Sequence, residues 1–500
     1  MKHIISIGLL IICLSNISCS KNFLNKTDPT RIGTELFFKD QVQIDQAMNG
    51  IYGQIQGINN SAYIFKEMMS DNTAFDLNPL DRGGAAGWEA FEFSTVNSGN
   101  GEISNLWNQY YRVMYNVNNT LVRLPASTIT DASKKQVEGE LKFLRSFLYF
   151  DLVRYWGDVV LVTKTLETPD EAFSQLRAPQ AQVYTQIETD LKDAIASLPV
   201  KYTAVYTGRA TKGAAIGLLG SVYLTEKKYT EAVATLNTIL PLGYALLASY
   251  QDVFDPTKKN SIESIFEIQY QGGNDLGEWS NFMYVFAPRL SGAAITGYAN
   301  VNPAGRNIPT NDMIAAYEPG DLRKDVSLKT GYTATNGTVI PIPYINKYNH
   351  VHTIAGRTDD NWPVIRYADV LLMLAESINE ATGPTAEALG YLNQVRTRAG
   401  LAPLAGLDKA TFKVRVLQER RVELAFENQR WFDLKRTKTP AELVAFMNAH
   451  GAREKANPTV DRGGIAFNAL DYIYTENEVV LPIPAPQILI NAQLSQNTGY

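Results

Sequence analysis

Cysteine is nearly missing from this sequence. There are two, Cys13 and Cys19, and both lie close to the N-terminus. Beyond Cys19 no thiol remains for a disulfide, a CxxC metal site or a cysteine nucleophile. Histidine is also scarce, with four in the chain and only His350 and His352 close together. There is no HExxH pair, no Walker loop, no Rossmann glycine pattern and no GxSxG elbow, so common metal, nucleotide and hydrolase motifs are missing. Charge of one sign is lacking too. Forty-six basic and 51 acidic residues leave a net charge of −5, which excludes a strongly basic protein that coats nucleic acid. After residue 14 no apolar run approaches the roughly 20 residues that span a bilayer. Serial alternating stretches of about ten residues, the mark of a membrane barrel, are missing as well. What is present is an ordinary globular balance, 45% hydrophobic and 19% charged, which excludes a disordered chain. Aromatic residues are plentiful at 26 Tyr, 20 Phe and 6 Trp.

Residues 1–18 read as a secretory signal. Lys2 and His3 precede an apolar run from Ile4 to Leu14, too short to cross a membrane and right for a signal core. Small residues follow, ending Ser18-Cys19-Ser20. A Cys directly after a small residue at this place resembles the lipobox of bacterial lipoproteins, with Asn16 where Leu is usual. The resemblance implies that Cys19 carries acyl chains and becomes the first mature residue. Each buried CH₂ contributes about 0.8 kcal/mol, so several chains anchor a protein permanently. The bilayer is then a partner through the anchor, and the chain is tethered rather than embedded.

Residues 19–39 read as a polar tether, 40–242 as an N-terminal helical region and 243–500 as a C-terminal region with a loop-rich insert. Helical spacing appears over Gln41–Gln56, Ile103–Leu124, Lys134–Trp156 and Gln182–Leu198. In the last, Val183, Ile187, Leu191, Ile195 and Leu198 step by helical turns and Pro199 stops the helix. In Ala210–Leu240, Leu219-Gly220, Tyr223, Tyr229 and Ala232 reproduce the LG-x-x-Y…Y-x-x-A spacing of a tetratricopeptide-type helix pair. Lys227 stands at the turn position that is often Gly. One pair cannot bury its own apolar face, so neighbours are expected to stack on it. Tyr367–Arg398 is a second helical block, with Thr385 as a cap after Gly383-Pro384, and Lys409–Arg436 is the last. Ser70–Gly101, with Pro79 and Gly83-Gly84-Ala85-Ala86, reads as a long irregular segment. So does Gly243–Pro363, apart from a short strand at Ser264–Gln269. The expected fold is mainly α: a tetratricopeptide-like scaffold with a large irregular insert.

Four runs then resemble one family in order. They are Arg366-Tyr-Ala-Asp-Val-Leu-Leu-Met-Leu-Ala-Glu376, Leu392-Asn-Gln-Val-Arg-Thr-Arg-Ala-Gly-Leu401, Glu419-Arg-Arg-Val-Glu-Leu-Ala-Phe-Glu427 with Arg430-Trp-Phe-Asp-Leu-Lys-Arg436, and the ending from Leu481-Pro-Ile-Pro484 to Tyr500. Together with the lipobox they resemble the SusD/RagB family of Bacteroidetes surface lipoproteins. The resemblance implies an outer-membrane lipoprotein that is not an enzyme and needs no cofactor. It would bind a glycan or, in some branches, a peptide. It would act as the lid of a SusC-type TonB-dependent transporter, with no nucleic-acid partner.

A sugar ring has an apolar C–H face and a hydroxyl rim, so its receptor offers an aromatic ring flanked by polar groups. Irregular segments on a rigid scaffold are where such groups concentrate. Trp88, with Asp71, Asn72 and Arg82 near it in sequence, is one candidate platform. Trp279, with Tyr284 behind it, is a second, and Tyr298, Asn302 and Arg306 follow. The alternative is that either ring pins its loop to the helices. Trp107, Trp156, Trp362 and Trp431 read as core. Glu419, Glu423 and Glu427 recur every four residues among arginines. Two carboxylates about 5–10 Å apart serve glycosidases, but a helix face laced with ion pairs explains the spacing better. His350 and His352 lack further metal donors nearby in sequence. A lipid-anchored glycoside hydrolase and a repeat scaffold that binds only protein are the rival readings.

Overall fold

The computed structural model describes residues 37–77 and 82–500, with side chains inside 82–85 left aside. The signal segment, Cys19 and most of the tether lie outside the described residues. In chain order the longer elements are α1 (Gln41–Lys66), β1 (Thr73–Ala74), α2 (Arg82–Phe93), α3 (Gly101–Arg123), α4 (Asp131–Trp156), α5 (Gln180–Ser197), α6 (Lys212–Thr225), α7 (Tyr229–Asn237), β2 (Ser264–Ile268), β3 (Ile308–Pro309), β4 (Trp362–Arg366), α8 (Tyr367–Thr382), α9 (Ala386–Arg398), α10 (Lys409–Glu423), α11 (Arg430–Thr437) and α12 (Pro440–Ala456). The fold is mainly α. No helix among the described residues is long and apolar enough to cross a membrane.

Consecutive helices stack on one another. From α3 to α4, α5, α6 and α7 each packs on the next, and the stack continues from α7 to α8 and α9 across the whole insert. This is how paired helices with one apolar face each build a shared core. On α5 the stepped residues Val183, Ile187 and Leu191 are buried against α4 and α6. The second half of α4 is buried nearly all round, from Phe143 to Val153, as a central helix must be. Its charges are matched inside the core. Arg145 grips Asp190 through two bonds of 2.7 and 2.8 Å, and Asp151 accepts from Lys66 at 2.7 Å.

Gly220 lets α6 and α7 meet. A Cβ there would fall 2.3 Å from Leu236 Cδ2. At the turn Lys227 has φ +61°, its N–H donates to Leu224 O at 3.2 Å and that of Lys228 to Tyr223 O at 2.8 Å. These two bonds form a Schellman ending, which usually carries Gly at the left-handed position.

The structure departs from the sequence reading in four helical places. α1 runs ten residues past Gln56, because Ile58, Ala62, Tyr63, Ile64 and Phe65 are buried in the core, and that burial overrides the weak propensity of Gly57 and Asn59-Asn60. The Ser70–Gly101 segment is not irregular throughout: α2 occupies its middle, held by buried Ala90, Phe91 and Phe93. The Lys409–Arg436 block splits into α10 and α11 around Phe426 and Asn428, both at positive φ. A further helix, α12, follows with a capping box at Thr439 and Glu442.

The insert folds through short helices and paired strands. β2 and β4 pair antiparallel, as do β1 and β3. Its anchor to the stack is ionic and internal. Arg366 donates to Glu263 (2.8 Å), Glu423 (2.9 Å) and Glu427 (2.7 Å). Arg323 from the insert reaches Asp321, Glu419 and Glu423, and Lys347 reaches Glu427. Burial raises the Glu423 carboxyl, but Arg398, Arg366 and Arg323 pull it well below the usual carboxylate range. The three glutamates are therefore ion-paired, as their spacing suggests, but in the interior and not on a solvated face. The C-terminal run packs on the end of α4, where Trp156 Nε1 donates to Pro482 O at 2.9 Å and Asn497 donates to Trp156 O at 3.0 Å.

Candidate functional site

Trp88 stands on α2, not in a loop, and is half-buried. The Arg306 guanidinium lies over its ring, 3.5 Å from the centroid. Arg306 Nη1 donates to the Tyr63 hydroxyl at 3.3 Å, so the unexpected last turns of α1 supply a third side chain. Burial raises the Tyr63 hydroxyl, partly offset by Arg306.

Arg306 belongs to a segment that runs beside the short helix Phe282–Phe286. Arg306 N donates to Val285 O at 2.9 Å, and Ala304 N to Tyr284 O at 2.8 Å. Tyr284 is buried, and its hydroxyl hydrogen-bonds to His352 Nε2. Tyr298 is half-buried. Its hydroxyl donates to His352 O at 3.0 Å, and its ring centroid lies 5.1 Å from that of His352. His352 thus joins the two tyrosines. Its neighbour His350 pairs with Asp360 at 2.5 Å. Asn302 is exposed on the same segment as Arg306.

Trp279 lies further along, on the loop that closes through Gln271 N to Glu278 O at 2.7 Å. Ser280 and Thr358 bond each other through N–H to O at 3.0 and 2.8 Å. Gly272 permits this approach, since a Cβ there would sit 2.8 Å from Arg357 O. Trp279 is half-buried, and the Arg357 guanidinium lies 4.3 Å from its centroid. Arg357 also donates to Asn274 O at 2.6 Å and to the Asp275 carboxylate. Each tryptophan therefore carries an arginine on one ring face. A cleft of about 560 Å³ adjoins this loop, lined by Gln56, Tyr206, Arg209, Lys259, Gln271 and Asp359.

Asp71 and Asn72 do not reach the surface. Asp71 is buried and ion-paired to Arg421 at 2.8 Å and Arg430 at 2.7 Å. Burial would raise its carboxyl, but the two arginines hold it well below the ordinary range. Asn72 accepts from Arg421 at 2.9 Å. Both are corrected to framework residues: each faces an arginine of the α10–α11 region instead of a ligand. Arg82 opens α2, and its side chain lies outside the described ones. The sequence reading missed Tyr63, His352 and Arg357. The His350-x-His352 pair in an aromatic-rich insert was the available signal for one of them. Trp107, Trp156, Trp362 and Trp431 are core, at most 4% exposed.

A stack of paired helices carrying a loop-rich insert, with two half-open tryptophans at the insert, defines a helix-pair binding scaffold. Two family profiles match separate stretches of the chain. One, described as "Starch-binding associating with outer membrane", covers residues 22–224; the other, described as "SusD family", covers residues 327–500. The chain belongs to the SusD family. SusD-like protein P2 of Formosa agariphila is 27% identical, with 99% of each chain covered. A SusD superfamily protein from Parabacteroides distasonis has 26% identity and a TM-score of 0.75, covering 91% of this chain and 99% of its own. A laminarin-binding SusD-like protein has 26% identity and a TM-score of 0.74, covering 92% of this chain and 100% of its own.

Proposed function

We propose that the chain is a cell-surface lipoprotein of the outer membrane that captures oligosaccharide and delivers it to a SusC-type TonB-dependent transporter, over which it acts as a lid. Acyl chains on Cys19 hold it at the membrane, and the helix stack docks on the transporter. The work is binding and gating, not bond breaking. Glu419 and Glu423, the candidate carboxylate pair, are instead buried in ion pairs with Arg323. A relative of the same fold is named for binding laminarin.

One observation carries the reading. Of the six tryptophans, four are sealed in the core, while Trp88 and Trp279 stay half-open beside the irregular insert. A large ring is costly to leave in water. A sugar's C–H face would cover the exposed part of such a ring. Calorimetry with the full chain in detergent against a panel of plant and microbial polysaccharides tests this. Trp88→Ala and Trp279→Ala are expected to weaken glycan binding about tenfold or more each, without lowering the melting temperature by more than a few degrees. Bond cleavage by the pure protein, or binding of peptides and of no sugar, would sink the proposal.

A further inference from the structure

We propose that the Trp88–Arg306 pair reads an anionic group, a carboxylate or a sulfate ester, on the bound oligosaccharide, so that the preferred ligand is an acidic glycan. This rests on the glycan reading above and narrows it. Arg306 lies on the Trp88 ring with its centre 3.5 Å from the centroid. A guanidinium placed this way directs its N–H groups sideways, past the rim of the ring. Tyr63 accepts one of those bonds.

Among the described residues no carboxylate comes within 4 Å of Arg306. Asp76 and Glu102, which lie beside residues of this cluster, are engaged elsewhere. Asp76, next to Gly305, accepts from the Arg289 backbone N–H at 3.2 Å and feels the Arg289 charge. Glu102 acts on Tyr63 through space. Three other arginines stacked on rings are neutralised, whereas Arg123 and Arg462, over Phe38 and Phe467, bond only amide or carbonyl oxygens. Arg357 has Asp275; Arg154, over Phe150 and Phe432, has Asp151; Arg209, over Tyr206, has Asp45.

An arginine with spare donors on a half-buried ring matches the fork geometry of a carboxylate or sulfate. A neutral hydroxyl uses such donors less well, because the bond lacks its second charge.

Calorimetry on the full chain in detergent compares an oligogalacturonate, a sulfated galactan oligosaccharide and a neutral β-glucan of equal length. One acidic ligand is expected to bind best, and which one distinguishes carboxylate from sulfate. Arg306→Gln should cut its affinity about ten- to a hundredfold and weaken the neutral glucan far less. Arg306→Lys should recover part of the loss. Arg462→Gln, an equal change of charge at an arginine that stacks on Phe467 and bonds Ile465 O, should change nothing. Near-ultraviolet dichroism checks that α2 stays in place. If the neutral glucan binds best, or Arg306→Gln weakens acidic and neutral ligands alike, the anion proposal is overturned while glycan binding stands. Failure of every sugar overturns both.

Discussion

The Arg366 guanidinium at the end of β4 meets the Glu423 carboxylate of α10 at 2.9 Å in the interior of the protein. Around this pair gather Glu263, Glu427, Arg398 and Arg323. Three of the motifs by which the family resembles itself, those beginning at Arg366, Leu392 and Glu419, thus converge on one buried network. Its charges balance only as a set. Arg366→Met leaves three carboxylates without their shared cation, and breaking such a pair costs about 3–5 kcal/mol. The chemical denaturation midpoint should fall accordingly. A loss below about 1 kcal/mol would mean that the remaining arginines absorb the charge.

Gly220→Ala separates helix propensity from packing. Propensity alone favours Ala by about 1 kcal/mol. The new methyl, however, would press on Leu236, which is fully buried, and overpacking costs about 1–3 kcal/mol. Net destabilisation is expected, and Leu236→Ala in the same chain should be less harmful than it is alone. A stabilised Gly220→Ala protein would show that α6 and α7 slide apart freely.

Lys227 offers the opposite change. It is exposed and held at φ +61°, a conformation that costs a residue with a Cβ about 1–2 kcal/mol. Lys227→Gly keeps both Schellman bonds and removes that strain. A rise in stability of about 1 kcal/mol is expected from thermal melting, reduced by the greater freedom of Gly in the unfolded chain.

The scaffold was legible because its signals are local. The four-residue stepping on α5, the Leu219–Ala232 spacing and the Thr385 cap each depend on neighbours in sequence, and Thr385 does accept from Ala388 N–H at 3.1 Å. α2 was not legible, since its glycine-rich start has poor propensity and the burial of Phe91 and Phe93 decides its state. Glu419, Glu423 and Glu427 gave their pairing away but not their depth, because three of their cations, Arg323, Lys347 and Arg366, come from distant segments. For the site, the tryptophans stood out by composition. Arg306 was a candidate by sequence but its place on Trp88 was not legible, and Arg357 was missed, since both reach Trp88 and Trp279 only through the path of the insert.

Glu92 ties the helix that carries Trp88 to the C-terminal region, and this tie depends on pH. Its Oε2 accepts from Phe75 N–H at 2.7 Å, and its Oε1 bonds the Tyr472 hydroxyl. Burial pushes its carboxyl up to about 8, partly offset by those two bonds. Between roughly pH 4.5 and 8 the folded protein keeps a proton that the unfolded chain has released. Stability from this group is therefore complete below about pH 4.5 and is lost as pH rises to about 8. Glu92→Gln stays neutral and can still accept from Phe75 and bond Tyr472. The variant should melt like the parent at pH 5 and above it at pH 9. Comparing the two proteins isolates the group, because Lys435, lowered to about 7 by burial and by Arg154, adds the opposite slope above pH 7 in both. Ligand affinity should follow the same course, falling above pH 8 in the parent and less in the variant. Parallel pH profiles for the two proteins would show that Glu92 is already ionised in the fold and that α2 is held by its apolar face alone.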